Sequence, residues 1–173
     1  MDFELTEELN MLKDMAYKFA QQEFSPVSHE VDAEEKYTPE IFKKAAENGL
    51  VGAWVPEEYG GAGAGMLGLA IITEQLSRVD MGIGLNIIAA TFGSEAIFYY
   101  GTEEQKREYI TPICQGKKVS AGAFTEPDAG TDSAGYRTRA VKDGDDYIIT
   151  GNKTFITNAT VADFAVAQCV TDP

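Results

Sequence analysis

The chain has 173 residues, 44% of them apolar and 24% charged, a composition that builds a core and excludes a disordered chain. Its 28 acidic and 14 basic residues leave a formal net charge of −14. That charge excludes the broad basic face with which a nucleic-acid binder offsets phosphate, but leaves room for an anionic ligand held by a locally basic pocket or by backbone N–H groups. The two cysteines, Cys114 and Cys169, fit no metal or redox spacing and read as plain thiols of a reducing compartment. The opening "MDFELTEELN" has no apolar core and no mark of a signal or transit peptide. No apolar run is expected to reach the roughly 20 residues of a bilayer span. A cytoplasmic protein is therefore expected, or a mitochondrial-matrix one in a eukaryote.

The first two-thirds has helical periodicity. Leu5, Leu9, Leu12, Ala16, Phe19 and Ala20 recur at helical spacing with charges between them. A more polar helix is expected from Pro26. In "YTPEIFKKAAENG", Thr38 suits an N-cap and Pro39 the first helical position. Tyr37 and Phe42 suit a hydrophobic staple, and Gly49 a C-terminal stop. "VPEEYGGAGAG" is a loop, followed by a helix over about Met66 to Arg78. Gly84 to Tyr100 is apolar almost all round and reads as one buried helix. "GTEEQKREYITPICQG" opens with a capping box, Thr102 with Gln105, and Pro112 is expected to kink or end its helix.

From Lys117 the pattern changes. "KVSAGAF" and "DFAVAQCV" read as strands, and "YRTRAVKDGDDYIITGNKTFIT" alternates with turn signals at Asp143-Gly144 and Gly151-Asn152. The expectation is an α+β chain, with an all-α domain over residues 1–118 and the beginning of a β domain over 119–173. So small a sheet buries little apolar surface and leaves an open edge, so the chain reads as truncated or as completed by another chain.

Several motifs have plain readings. Gly63, Gly65 and Gly68 fit G-x-G-x-x-G, but no strand precedes them and no βαβ unit follows, so a loop feeding a helix is the better reading. His29, the one histidine, lies among Glu30, Asp32 and Glu34 and reads as a solvated surface residue, which argues against a histidine-based hydrolase. "AFTEPDAGTD" (123–132) is more promising. Thr125 ends a strand, Pro127-Asp128 forces a turn, Gly130 permits close backbone approach, and Thr131 adds a hydroxyl. In "KTFITN" (153–158), Phe155 and Thr157 fall on one face if the segment is a strand, offering a ring and a hydroxyl to a planar heterocycle.

"PEEYGG", "GTEEQKREYI", "AFTEPDAGTD" and "YIITGNKTFITNA", in this order along nearly the whole chain, resemble signatures of the acyl-CoA dehydrogenase family of flavoproteins. The resemblance implies an N-terminal α domain, a middle β domain and a C-terminal four-helix domain, the last absent here. It implies FAD as cofactor, an acyl-CoA substrate, removal of an α-proton and a β-hydride, electron-transfer flavoprotein as acceptor, and a homotetramer in which a second subunit completes the flavin site. Carried over by motif, Phe124 and Thr125 would contact the isoalloxazine. Gly130 and Thr131 would lie by the phosphate-bearing chain, with Thr131 also facing the substrate's pantetheine arm. Phe155 would cover the ring, where many members have tryptophan, and Ile156 and Thr157 would face the flavin N5 edge.

Two departures stand out. Many members have an aromatic residue three positions before the motif threonine, where this chain has Gly122, so a wider pocket is expected. The family's catalytic base is a glutamate of the C-terminal domain, so no residue here is assigned as the base. Two alternatives stand beside the dehydrogenase reading: an acyl-CoA oxidase using dioxygen, and a non-catalytic truncated or split-chain component. Asn86, Thr91 and Glu95 interrupt the apolar helix. They read as caps or outward residues, and one turned toward the acyl tail would favour a short, cyclic or polar acyl group.

Overall fold

The computed structural model describes residues 4–171. It is an α+β arrangement in which a helical body comes first and short strands follow. Helix α1 (Glu7–Glu23) starts where the Thr6 hydroxyl accepts from the Leu9 amide, and it buries Ala16, Phe19 and Ala20. Helix α4 (Gly65–Ser77) buries Gly68, Ile71, Ile72, Gln75 and Leu76, the i, i+3, i+4, i+7, i+8 stripe of a core-facing helix. Gly68 permits the α1–α4 approach, because a Cβ there would fall 3.4 Å from a Leu12 methyl and 2.4 Å from the Ala64 Cβ.

Between them, α2 (Ser28–Glu34) begins two residues later than expected, and α3 (Pro39–Glu47) begins with Pro39 in its first turn. Thr38 precedes α3 but makes no capping bond; the Tyr37 and Phe42 rings do meet, 6.4 Å apart. Gly49, at φ 69°, takes the left-handed position past the helix end.

The expected single helix over Gly84 to Tyr100 is corrected to α5 (Met81–Ile88), a 3₁₀ turn (Ala89–Thr91), and α6 (Ser94–Tyr100). The break lies at Gly93, φ 87°, where a Cβ would sit 2.7 Å from the Val166 Cβ and 3.4 Å from the Gly122 Cα. Tertiary contact with the strands thus overrides helical pattern. Met81–Tyr100 is also a 20-residue stretch apolar enough to match a bilayer span, contrary to expectation, and half of it is buried in the body.

The Thr102–Gln105 capping box opens α7 (Glu103–Gln105), with both reciprocal bonds present. A π turn (Lys106–Ile110) and α8 (Thr111–Cys114) continue it, the wide turn lying just ahead of Pro112, whose ring displaces the carbonyl four residues back. A second cluster, Trp54, Val55, Tyr59, Ile110 and Cys114, packs beneath the Phe98 ring.

Strands β1 (Ser120–Ala123) and β4 (Phe164–Ala167) pair in parallel; β2 (Arg139–Asp143) and β3 (Asp146–Thr150) form an antiparallel hairpin. The hairpin turns on Gly144-Asp145, with Gly144 at φ 63°. The expected second turn at Gly151-Asn152 does not form a hairpin, because the next strand, β4, pairs with β1 rather than back on β3. Strand β1 is stitched to the helical body by Ser120, whose hydroxyl lies 3.0 Å from both the Ala90 and Phe92 carbonyls.

Candidate functional site

Two chain segments meet beside β1. The first is the turn after it. Pro127-Asp128 forms a tight turn closed by the Glu126 and Ala129 amides, each bonded to the other's carbonyl at 2.9 and 3.2 Å. The second is residues 153–158. The expectation that this segment is a strand, with Phe155 and Thr157 on one face, is corrected: it is irregular, and Phe155 and Asn158 have φ of 56° and 64°. The reason is anchoring at both ends. The Thr154 amide donates to the Thr125 carbonyl at 2.9 Å, and the Asn158 side-chain amide donates to the Asn86 carbonyl of α5 at 2.9 Å. From Asn158 the chain folds into successive turns, so no strand ladder can continue.

The segments are locked together by a pair that sequence reasoning missed. Glu126, 6% exposed, accepts from the Arg137 amide at 2.7 Å, the Thr138 amide at 2.9 Å and the Lys153 ammonium at 2.9 Å. Lys153 also donates to the Phe124 carbonyl at 2.8 Å and lies 4.3 Å from the centre of the Tyr136 ring. Burial opposes the charge on Glu126, but the Arg137 amide, Lys153 and the Thr138 amide outweigh it and hold the carboxyl at about 2. Tyr136 in turn donates to the Gly130 carbonyl at 3.1 Å, and Arg137 meets Asp128 at 3.2 Å on the surface. The signal was present as a Glu before Pro and a Lys before Thr-Phe, but charged residues in loops default to solvent, and only the fold buries these two together.

The seven residues singled out from sequence lie as follows. Phe124 and Thr125 form one arm, with Thr125 half-buried. Phe155, Ile156 and Thr157 form the other, with Ile156 and Thr157 half-buried and Phe155 90% exposed. Gly130 and Thr131 are exposed on the outer limb of the turn. A Cβ on Gly130 would meet only the Thr125 methyl, at 4.0 Å, so the backbone there is open to close approach. Among the described residues, the backbone N–H groups of Thr125, Ile156 and Thr157 donate to no protein acceptor. We call these two linked segments, with their free amide donors and exposed phenyl ring, the cradle.

The expected gap at Gly122 is partly closed. The Phe124 ring folds back over it, so that a Cβ on Gly122 would fall 2.6 Å from a ring carbon. Of the polar residues in the apolar stretch, Thr91 is buried, accepting from the Trp54 indole at 3.3 Å, and Asn86 holds Asn158 through its carbonyl. His29 is exposed. Cys114 and Cys169 are free thiols, and burial pushes the Cys114 thiol up to about 11, which keeps it unreactive. Gly63, Gly65 and Gly68 follow turns rather than a strand. No group of three His, Cys, Asp or Glu side chains able to hold a metal occurs among the described residues.

The sequence model of the acyl-CoA dehydrogenase N-terminal domain matches residues 6–117, and that of the middle domain residues 121–173. The chain belongs to the acyl-CoA dehydrogenase family. It is 42% identical over 173 residues to the short-chain-specific acyl-CoA dehydrogenase of Clostridium acetobutylicum, covering 99% of this chain and 46% of that protein. A solved chain from work on the electron transferring flavoprotein of Acidaminococcus fermentans and flavin-based electron bifurcation superposes with TM-score 0.92 at 43% identity, over 99% of this chain and 46% of that one. A glutaryl-CoA dehydrogenase of Mycobacterium smegmatis solved in complex with FADH2 superposes with TM-score 0.90 at 28% identity, over 97% and 44%. The chain spans about half the length of the curated relatives it matches.

Proposed function

We propose that these 173 residues supply the helical domain and half the flavin cradle of an FAD-dependent enzyme that oxidises an acyl-CoA thioester to its α,β-unsaturated product. The observation that carries this reading is the cradle: free amides at Thr125, Ile156 and Thr157 on two segments joined by the Thr154–Thr125 backbone bond, with Phe155 exposed on the second. Bound FAD supplies the acceptor for the β-hydride. The Thr125 backbone and hydroxyl and the Ile156 and Thr157 amides offer donors to the polar edge of a planar ring. Donors already in place cost no reorganisation when negative charge builds there during reduction. Phe155 offers a face for stacking, and the open backbone at Gly130 and Thr131 suits the phosphate-bearing chain and the substrate's pantetheine arm. On this reading the base that takes the α-proton is a glutamate outside these residues, electrons pass to electron-transfer flavoprotein, and the enzyme is a homotetramer. Similarity to the Acidaminococcus structure supports that choice of acceptor.

The test is the visible absorption of the full-length polypeptide and its anaerobic bleaching by a panel of acyl-CoA thioesters. A flavin bleached by one class of thioester is expected and would name the acyl group. A colourless protein, or a flavin that no thioester reduces, overturns the reading, and rapid peroxide formation in air would make the enzyme an oxidase. Loss of the Thr157 hydroxyl in Thr157→Val should leave FAD bound and slow flavin reduction about tenfold, the effect of roughly 1.4 kcal/mol on a barrier.

A further inference from the structure

We propose that Glu126 and Lys153 are positioning residues of the cradle: their ion pair sets the spacing between the Phe124–Thr125 arm and the Phe155–Thr157 arm, and cofactor affinity depends on it. This rests on the reading of the cradle as a flavin site.

The pair is unlike the other ion pairs among the described residues. Its side chains are 11% and 6% exposed, whereas each of the others has at least one partner about half exposed or more. Burying two charges is expensive, and a well-packed apolar pair of similar volume commonly leaves stability unchanged or improves it. What an apolar pair cannot do is satisfy the groups these two side chains serve. Lys153 has three N–H donors: one goes to Glu126, one to the Phe124 carbonyl, and the ammonium lies against the Tyr136 face. Glu126 uses its remaining capacity on the amides of Arg137 and Thr138. One charge pair thus fixes residues 124–126, 136–138 and 153, from three separate stretches of chain.

Each point of attachment adjoins a candidate ligand-facing group. The Phe124 carbonyl gripped by Lys153 belongs to the same peptide unit as the free Thr125 amide, so holding that oxygen aims that N–H. On the other arm, the Thr154 amide bonds the Thr125 carbonyl immediately before the exposed Phe155. Tyr136, against the lysine, holds the Gly130 carbonyl and with it the outer limb of the turn. Neither charged side chain offers a free donor or acceptor of its own to the cradle, so their effect passes through the backbone they hold.

The experiment uses the full-length polypeptide, stripped of flavin and titrated with FAD, in three forms: wild type, Lys153→Arg, and the double variant Glu126→Gln with Lys153→Met. The double variant leaves no unpaired buried charge, so the flavin-free protein should still fold cooperatively, with a thermal midpoint lowered only by the loss of the carboxylate's own contribution. Its FAD dissociation constant should nevertheless rise on the order of tenfold, with a shifted flavin absorption band, because the Phe124 carbonyl has lost its donor. Lys153→Arg, which keeps a charged donor in place, should bind FAD more tightly than the double variant. Wild-type affinity and spectrum in the double variant would overturn the proposal, as would failure of both variants to fold, since the pair would then serve the fold rather than the cradle. A wild-type protein that takes up no FAD would instead overturn the flavin reading, a separate failure that shows before any variant is compared.

Discussion

In helix α4, five of thirteen residues are buried in a continuous stripe, whereas all five residues of strand β3 are exposed. Both segments are rich in isoleucine, and both adopt the secondary structure their patterns call for. The difference is in what covers them. Helix α4 meets α1 and α5 within the same body. The β2–β3 hairpin leaves Val141, Tyr147, Ile148 and Ile149 each more than half exposed. Tyr147 and Ile149 point to one side of the strand and Ile148 to the other, so both faces of this ribbon are apolar. A strand apolar on both faces is built for cover on both sides. The comparison separates local order, which a two-residue turn and a ladder can supply, from burial, which makes order stable.

The largest expected effect that tests this contrast is in the helical body. Leu76→Ala, at a fully buried position, should destabilise the protein by about 2–5 kcal/mol in denaturant unfolding, through lost transfer energy and the cavity left behind. A loss below about 1 kcal/mol would mean that the helical core is not the main source of stability.

The second effect is on pH. The folded carboxyl of Glu126 is held at about 2, below its ordinary value of 4.5. A depressed carboxyl contributes stability that is fully present above the ordinary value and is lost as pH falls from about 4.5 toward 2. Unfolding measured across that window should show acid lability that Glu126→Gln reduces. An unchanged acid profile in the variant would separate the cradle from acid stability.

A smaller effect is expected at the Thr102 capping box. Thr102→Ala should cost about 1 kcal/mol, because the Gln105 amide loses its acceptor at an exposed helix start. The smallest belongs to the hairpin. Ile148→Ala should change the stability of this chain by no more than about 0.5 kcal/mol, as for an exposed position. The same change in the full-length polypeptide should cost about 2–5 kcal/mol if further chain covers both faces of this ribbon. Equally small losses in both would remove the contrast between the two regions.

Much of the helical part was legible because its signals are local. Gly49, Pro39 and the Thr102–Gln105 box act within one turn of backbone, and each is found in the role its chemistry predicts. The errors have a common physical cause. Pattern alone made Gly84 to Tyr100 one helix, and alternation made 153–158 a strand. In each case distant partners won: Val166 and Gly122 at Gly93, and Thr125 and Asn86 at the ends of 153–158. The motif residues of the cradle were legible by resemblance, but their mutual fixing was not. Glu126 and Lys153 are 27 residues apart, and nothing in either one's neighbourhood marks it as buried.

By itself, the sequence determined the helical and strand character of the two parts, the starts and stops of several helices, and, through its motifs, the family. Those properties depend on interactions within a few residues or on signatures carried in linear order. Tertiary structure alone decided where the apolar stretch breaks, how the Phe124 ring fills the space above Gly122, and which buried charges hold the two arms together. These rest on close approach and desolvation between segments far apart in the chain, where sub-ångström clashes and the cost of burying an unpaired charge outweigh local preference.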